Sequence, residues 1–378
     1  MTTVLMVESR FFGAVNKSKD NKLATTPEVS ESQSQQDNSM IVAVEKEIME
    51  KLEKDIGAKV IYLPINNEPR STRAFFDGKT DCLFVNESIS AHHFTDNQGK
   101  ITRRVVILYP MGKGRRGELP KAQLVNKLTK TVQQSEDAGL ELLDLRDLEA
   151  KGKVLEGLGA LNFSYNGKFV YMALSGRSNE EVLDIICSKE NLNIPEENRF
   201  VFTAVLPRLP NADGVVTGED VITHTSLVGW CGKGICAWGF EFLRFPSEEK
   251  QEAFYHHLEV TYQKMLNLNA EEIRAFVGNA YELAYRVGDE ERHVLCISDS
   301  AMKALQRRNL KALEEWYGRE NIIIFYADVV QRRAGKSVRA LISAPVTHGE
   351  VLPAPGQKSA LEVAHVDVMD VSAATFRR

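Results

Sequence analysis

The sequence predicts a mixed α/β fold. Strand-like and helix-like segments alternate along most of its 378 residues, and 43% of the residues are hydrophobic and 26% charged, as in ordinary globular proteins. The length exceeds the roughly 250–300 residues that one simple core supports, so it fits either two domains or one large closed α/β architecture. Because no hinge-like linker interrupts the alternation, a single large domain is favoured.

The elements are predicted from apolar periodicity and from β-branched runs. Predicted strands occupy residues 4–7, 59–63, 105–108, 140–145, 169–173, 200–205, 234–239, 293–297 and 322–326. Predicted helices occupy residues 41–52, 120–133, 180–188, 247–265, 269–276 and 301–316. Asp37 and Ser39 are candidate N-caps for the first of these helices. No internal repeat is evident in the sequence.

Two polar segments stand apart from this pattern. Residues 24–39 are rich in Ser and Gln and are predicted to form a surface loop. Residues 349–378 begin with the run LPAPG, which is typical of an extended linker, and are predicted to be a C-terminal extension to a domain of residues 1–348. We expect any protein partner to bind through one of these two segments.

The charge pattern argues against nucleic-acid and membrane partners. A net charge of −5 and a pI near 6.0 provide no overall attraction to polyanions. The one basic run, KGRR at residues 113–116, is predicted to be a solvated loop. No apolar stretch approaches the roughly 20 residues of a membrane-spanning helix. The N-terminal run lacks the features of a secretory signal.

Cysteine and histidine usage is equally ordinary. The five cysteines are scattered and form no C-x-x-C pair, which indicates a reducing compartment, and we expect the protein to be cytoplasmic. The His92-His93 and His256-His257 pairs lack the i, i+4 spacing of helical metal ligands. No phosphate-binding or dinucleotide motif occurs, so we predict neither a metal nor a cofactor.

Three chemically reactive side chains occur where predicted strands end, the usual place for ligand sites in α/β proteins. They are Glu87 in DCLFVNESIS (81–90), Glu156 in LEGLG (155–159) and His224 in ITHTS (222–226). Two carboxylates at one pocket would attract a cationic ligand and, if the pocket were empty, would raise each other's pKa.

Motifs in order along residues 4–344 resemble the citrulline-hydrolase-like branch of the amidinotransferase (pentein) superfamily. LEGLGAL (155–161) is similar to its LEGTGSL element, and YMALSGR (171–177) resembles its ALSPR stretch. HTS (224–226) with GKG (232–234) resembles its HTN…GTG element, and AFVGNAYEL (275–283) resembles FAGNMLEL. The superfamily acts on guanidino and ureido compounds such as arginine, dimethylarginine and citrulline.

The resemblance implies a five-bladed α/β propeller with its site in the central channel. In such enzymes a cysteine thiolate attacks the amidino carbon, a histidine is the general acid and base, and carboxylates grip the guanidinium. Carried over to this chain, the resemblance assigns acid/base catalysis to His224. It assigns substrate binding to Glu156, Glu87, Asn86 and Arg339.

The nucleophile is where the sequence departs from the family. The element similar to GGGSARCMLAE reads AGKSVRALIS (334–343) here, which places Ala340 at the cysteine position. A methyl group cannot attack carbon, and loss of a nucleophile removes several decades of rate. Glu8 and residues 84–88 also depart from the family pattern, which favours a natural loss over an engineered substrate-trapping change.

Three interpretations follow. The favoured one is a pseudoenzyme that retains at most a pocket for an arginine-like or citrulline-like ligand. The second is a structural or assembly subunit that uses the fold as a scaffold. The third is an active C–N hydrolase or amidinotransferase, which requires another Ser or Cys within hydrogen-bond reach of His224.

Overall fold

The computed structural model describes residues 2–9, 21–25, 30–63, 81–116, 139–288 and 290–349. Its strands are β1 Thr3–Val7, β2 Lys59–Leu63, β3 Ile89–Thr95, β4 Ile101–Leu108, β5 Leu140–Asp144, β6 Leu161–Phe163, β7 Val170–Ala173, β8 Arg199–Pro207, β9 Glu219–Val221, β10 Gly229–Cys231, β11 Ile235–Trp238, β12 Leu243–Arg244, β13 Lys264–Asn267, β14 Tyr281–Val287, β15 Glu290–Ser298, β16 Ile322–Phe325 and β17 Val346–His348. The longer helices are Glu31–Ile56, Glu180–Cys187, Glu248–Thr261, Ala270–Arg274, Asp299–Ala304, Arg307–Tyr317 and Asp328–Ala334.

The described strands form five sheets that share one pairing pattern. In four of them an inner strand pairs antiparallel with the next strand, which then pairs parallel with a third (β3-β4-β5, β6-β7-β8, β10-β11-β13 and β14-β15-β16). In the fifth sheet, β1 pairs parallel with β2, and an antiparallel bridge between Leu5 and Ser343 takes the place of the inner strand. The fold therefore contains five similar units that the sequence does not reveal as a repeat.

A short helical turn precedes the inner strand of each unit. These five segments, called here the inner turns, are Val85–Glu87, Gly157–Ala160, Thr225–Val228, Val277–Asn279 and Val338–Leu341. Each inner turn contacts the next along the chain, and the last contacts the first, so their contacts form a closed cycle. The inner turns consequently bring residues from all five units to one place.

The last unit is completed by chain segments far apart in sequence. The amide of Leu5 donates to the carbonyl of Ser343 over 2.8 Å, and the amide of Ser343 donates to the carbonyl of Leu5 over 3.0 Å. On the outer side of this unit, the helix Glu31–Ile56 buries Ile41, Ile48 and Leu52 completely. The burial of these apolar side chains stabilises the pairing of the two segments.

The structure confirms the mixed α/β class and corrects the predicted loop at residues 24–39. Residues 31–39 belong to the helix Glu31–Ile56, which is capped by Ser30 rather than by Asp37 or Ser39. Asp37 is instead buried and paired with Arg333, with 2.5 Å between its Oδ2 and the arginine Nε. The first turns of this helix were not recognised in the sequence, because they carry mostly polar residues, and a polar stretch of a half-exposed helix resembles a loop.

Some predictions differ from the structure or lie outside it. The predicted helix 247–265 ends at Thr261, and residues 264–267 form strand β13, while predicted helix 301–316 is divided between two helices. The predicted helix 120–133 and nearly all of the predicted extension 349–378 lie outside the described residues. None of the described helices has the length and apolarity needed to cross a bilayer.

Candidate functional site

Glu87, Glu156 and His224 lie in or directly beside the inner turns of three successive units. Glu87 ends its inner turn, while Glu156 and His224 each immediately precede theirs. All three are buried, with 2%, 0% and 1% of their surface exposed. One potential ligand atom from each lies within 4.8 Å of the others. The structure thus brings together three side chains that the sequence places up to 137 residues apart.

Glycines make this close approach possible. Gly157 has φ +41°, and a Cβ there would lie 2.7 Å from the backbone oxygen of Glu87. A Cβ on Gly159 would lie 2.8 Å from Cγ of Glu87 and 3.0 Å from Cδ2 of His224. The distances of 2.7 and 2.8 Å are shorter than real Cβ contacts, and the distance of 3.0 Å is tighter than most of them. The two glycines of the LEGLG motif are therefore required by the packing of neighbouring inner turns.

Glu156 is the centre of the charged cluster. Nη1 of Arg177 lies 3.0 Å from its Oε1 and 2.9 Å from its Oε2. Nη1 of Arg115 and Nε2 of His224 both lie 3.0 Å from the same Oε2. Each is a charge-assisted hydrogen bond to the carboxylate. Glu156 therefore already receives two guanidinium groups from the chain itself.

Glu87 is also paired with cations of the chain. Its Oε2 accepts from Nη1 of Arg115 and, over 2.5 Å, from Nζ of Lys336. The ammonium of Lys336 also lies 4.3 Å from the centre of the Phe84 ring, a cation–π contact. Arg115 thus bridges Glu87 and Glu156 with a single guanidinium nitrogen.

The two carboxylates are held ionised. Burial acts to raise the pKa of Glu87, but the charges of Lys336 and Arg115 outweigh it and lower that pKa to about 2. Burial likewise opposes ionisation of Glu156, yet Arg115, the hydrogen bond from His224 and the charge of Arg177 hold its pKa well below the usual range. The pKa increase expected for an empty pair of carboxylates is therefore absent, because the pocket contains cations.

Arg115 corrects the sequence-based interpretation of the KGRR run. It was expected in a solvated loop, but it is 1% exposed and its Nε lies 3.9 Å from Oδ2 of Asp81, a third buried acid. Among the described residues, the buried acids Asp81, Glu87 and Glu156 thus pair with the buried bases Arg115, Arg177 and Lys336. Buried carboxylates require counter-charges, but the local sequence does not mark which bases supply them.

The spacing of Glu87, Glu156 and His224 would also suit a metal ion. Both carboxylates already bind guanidinium or ammonium groups, which a metal would have to displace. The histidine Nε2 likewise points at Glu156. The donor set as arranged here is an ion-pair cluster rather than an open coordination site.

The remaining predicted site residues are placed differently. Asn86 is 1% exposed, and neither its side-chain nitrogen nor its oxygen has a hydrogen-bond partner among the described residues. Ala340 is 4% exposed and lies in the inner turn that contacts the turn of Glu87. Arg339 forms no ion pair with the carboxylate cluster; its guanidinium carbon lies 5.3 Å from the centre of the Tyr281 ring.

His224 forms no hydrogen bond with a serine or a cysteine within the described part of the chain. Its Nε2 bonds to Glu156, and its Nδ1 lies 3.4 Å from the hydroxyl of the preceding Thr223. No described serine or cysteine forms a hydrogen bond with either ring nitrogen. None of the five cysteines forms a disulfide, and burial raises the pKa of Cys187, Cys236 and Cys296, which disfavours their thiolates.

Comparison with solved structures identifies the fold. One match is the N-terminal domain of ArgZ, an arginine dihydrolase from cyanobacteria, in a cysteine mutant bound to substrate. The TM-score is 0.58 and the sequence identity 14%, and the match covers 92% of this chain and 99% of that domain. Dimethylarginine dimethylaminohydrolase (DDAH) of Pseudomonas aeruginosa, a cysteine mutant in complex with citrulline, matches with a TM-score of 0.50 and 13% identity over 91% of this chain and 98% of that one.

The chain corresponds to only part of some relatives. It spans 42% of the complete ArgZ chain and 40% of unliganded AgrE, which matches with a TM-score of 0.56 and 11% identity. At such identities the similarity shows a shared fold. No curated protein matches the chain in sequence.

Comparison of the sequence with family profiles identifies the family. The profile of eukaryotic N,N-dimethylarginine dimethylhydrolase matches residues 32–346, which is most of the chain. This range includes every residue of the carboxylate cluster and Ala340. The chain therefore belongs to the eukaryotic N,N-dimethylarginine dimethylhydrolase family, within the superfamily of proteins that modify guanidino groups.

Proposed function

We propose that this chain is a non-catalytic member of its family, in which an arginine of the chain occupies the position of the substrate guanidinium. The observation that carries the proposal is the guanidinium of Arg115 between Glu87 and Glu156. Arg115 would then act as an internal ligand, and the carboxylates would serve the structure rather than turnover. The proposal includes the family positions of these residues: Glu156, Glu87 and Asn86 stand where the family binds its substrate, and His224 stands where the family has its acid/base residue.

The proposal includes a five-bladed propeller. Five sheets with one pairing pattern and a closed cycle of contacts between inner turns support it. In this arrangement each sheet is one blade, and the inner turns surround the central axis. Glu87, Glu156, His224 and Ala340 then belong to four different blades, and all of them face one short segment of the channel.

The absence of a nucleophile supports a loss of catalysis. Alanine at position 340 cannot form the covalent intermediate on which the family's chemistry depends. Substitution by a different nucleophile is not favoured, because the described hydrogen bonds of His224 go to Glu156 and Thr223. An intact acid/base residue without a nucleophile retains little rate.

Occupation of the two carboxylates by cations of the chain disfavours an external cation. Among the described residues, Arg115 and Lys336 pair with Glu87, and Arg115 and Arg177 pair with Glu156, so an arginine-like ligand would have to displace Arg115 or add another buried positive charge. Arg115 is tethered beside the carboxylates, and tethering gives a group an effective concentration in the millimolar range or higher. A free guanidino ligand therefore competes at a disadvantage.

The test is stepwise restoration of the site. We would assay dimethylarginine, arginine and citrulline as substrates, using the unmodified chain, Ala340→Cys, Arg115→Ala and the double variant. The proposal expects no turnover by the unmodified chain or by either single variant. The double variant is expected to bind dimethylarginine, seen as a rise in Tm, and to show the first turnover above background. Ala340→Cys combined with Arg116→Ala is the control for loss of one arginine.

Turnover by the unmodified chain would overturn the proposal. Turnover by Ala340→Cys alone would show that Arg115 yields to substrate, and would replace the internal-ligand interpretation by an open pocket. Folding of each variant is checked by its Tm before assay.

A scaffold role is a second candidate, supported by an exposed apolar hairpin tip. Residues 208–218 connect β8 and β9, and within them Leu209, Val215 and Val216 are 70%, 54% and 50% exposed. Exposed apolar residues grouped in this way often mark a protein-binding surface. Measurement of partner binding with these three residues changed to serine would test this role.

A further inference from the structure

A cavity lies beside the inner strands of the five units, away from the carboxylate cluster. Its volume is about 550 Å³. Each unit contributes to the wall, through His93 of β3, Phe163 of β6, Cys231 of β10, Tyr281 of β14 and Ala344 beside the closing bridge. A space of this size holds a small organic molecule.

This cavity is distinct from the carboxylate cluster. None of the side chains of that cluster lines it, whereas Leu158 and Arg339 do. Adjacent residues of an inner turn therefore face opposite spaces. Leu158 lines the cavity, while the next residue, Gly159, contacts Glu87 and His224. The inner turns form the partition between the two spaces.

Arg339 lines the cavity without a counter-charge. The residue is 5% exposed, and its Nε has no hydrogen-bond partner. Within the described part of the chain Arg339 makes no ion pair. Its guanidinium lies over the ring of Tyr281 in a cation–π contact. A buried guanidinium is normally paired, because leaving it unpaired is costly. An unpaired one at a cavity wall is a favourable site for an anionic group.

The other charged groups of the cavity wall are already neutralised or exposed. Glu282 and Glu291 contact the two ring nitrogens of His293 at 3.1 and 3.3 Å. Glu291 also pairs with Lys233 over 2.9 Å. Arg286 lies at the solvent-exposed rim. One positive charge, that of Arg339, therefore remains unmatched inside the cavity.

We propose that this cavity binds a small organic monocarboxylate, with its carboxylate on the guanidinium of Arg339 and its apolar body against Tyr281, Phe163 and Leu158. A guanidinium presents parallel N–H donors that match a carboxylate. A single negative charge balances Arg339, whereas a phosphate or a dicarboxylate would bring a second charge close to Glu282 and Glu291. The proposal does not depend on the function proposed for the carboxylate cluster.

The test uses phenylacetate and hexanoate as probes, with phenylacetamide as the uncharged counterpart and phosphate as the competing oxyanion. Ionic strength is matched with sodium chloride. Binding to the full chain is measured by ligand-observed NMR and by Tm. We expect saturable binding of the monocarboxylates, with Tm rising by a few degrees near 100 times Kd. Phenylacetamide and phosphate are expected to leave Tm unchanged.

Arg339→Met is the diagnostic variant, and Arg286→Met is the control that removes an arginine from the rim of the same cavity. Arg339→Met should weaken the monocarboxylates at least tenfold, while Arg286→Met should change their Kd less than twofold. Without ligand, Arg339→Met should keep or raise the Tm, because it removes an unpaired buried charge.

Four results would overturn the proposal. The first is no binding by either monocarboxylate, and the second is equal binding of phosphate. The third is a large fall in the ligand-free Tm of Arg339→Met, which would show that the guanidinium has a structural partner. Unchanged binding in Arg339→Met would place the carboxylate elsewhere and equally exclude this site.

Discussion

Nη1 of Arg115 lies 3.0 Å from Oε2 of Glu156, and both residues are almost completely buried. The pair joins a loop before β5 to the inner turn before β6. A guanidinium on a buried carboxylate is the arrangement that a guanidino-binding site offers its ligand. Here the chain supplies both the guanidinium and the carboxylate, so the contact that would bind a ligand stabilises the fold instead.

Replacement of Arg115 by methionine should strongly destabilise the fold. It leaves Glu156 and Glu87 with one cation fewer in a dry site, and breaking a buried pair costs about 3–5 kcal/mol. Chemical denaturation measures this change in the free energy of unfolding. Arg116→Met is the matched control: its ion pair with Glu149 is longer, at 3.9 Å, and partly exposed, and it also donates to the Glu149 carbonyl, so its loss should cost less than the loss of Arg115. Equal effects of the two variants would contradict the buried role of Arg115.

Gly159→Ala should disrupt the cluster by steric conflict. The new methyl would lie 2.8 Å from Cγ of Glu87, which forces the inner turns apart and costs about 1–3 kcal/mol. Gly176→Ala is the control, because no atom lies within 4 Å of a Cβ there. It should be neutral or slightly stabilising, by up to about 1 kcal/mol. Thermal unfolding compares the two, and a tolerated Gly159→Ala would argue against tight contact at the partition.

Acid should destabilise the fold through Glu87. Its pKa is about 2 in the folded chain against 4.5 ordinarily, so its contribution is fully present above pH about 5 and is lost as pH falls towards 2. Glu156, whose pKa is also lowered, adds to the loss in the same direction. Urea denaturation between pH 6 and 2 measures the slope. Glu87→Gln should be less stable at pH 6 and show a shallower decline; an unchanged slope would count against the ion pairs.

A histidine pair should produce a separate decline at milder pH. Nδ1 of His92 lies 2.8 Å from Nε2 of His348, and burial lowers the pKa of both, that of His348 from 6.5 to about 4. Between these values the unfolded chain binds protons that the folded chain excludes. Stability should therefore fall as pH decreases from about 6.5 to 4.

His348→Phe tests the source of this decline. Phe94 already stacks on the His348 ring, with 4.6 Å between ring centres, so a phenyl group fits the surroundings. The variant should lose part of the decline between pH 6.5 and 4 and keep the decline below pH 4. If the upper decline persists in full, other groups are responsible for it.

Much of the fold was predictable from sequence, but the inner strands were not. The outer elements, such as β2 and the helix Glu180–Cys187, have long apolar periodic runs, and the α/β alternation predicted from them is confirmed. By contrast β3, β6, β10 and β14 all escaped prediction. They are short or carry polar side chains towards a cavity, so their sequence lacks the alternation that marks a half-buried strand.

The sequence singled out three residues of the cluster but not its bases. Glu87, Glu156 and His224 were chosen from their places at predicted strand ends, the family resemblance assigned them roles, and the structure brings the three side chains together. Arg115 and Lys336 lie in segments that look solvated or unremarkable, because a basic residue gives no local sign of burial. Their pairing depends on long-range contacts, which only the folded chain defines.

The bridge between Leu5 and Ser343 makes the order of synthesis matter. A ribosome delivers Ser343 only after almost all the described chain has emerged, so β1 can pair with β2 early but gains its bridge to Ser343 last. Contacts between such distant residues slow folding, because the intervening chain must be ordered first. The same bridge places two distant parts of the chain side by side, so new termini could be cut at an exposed hairpin tip instead. A peptide linker between the two ends of the described chain would then give a circular permutant, in which the fold is kept and the N-terminus lies at the hairpin tip.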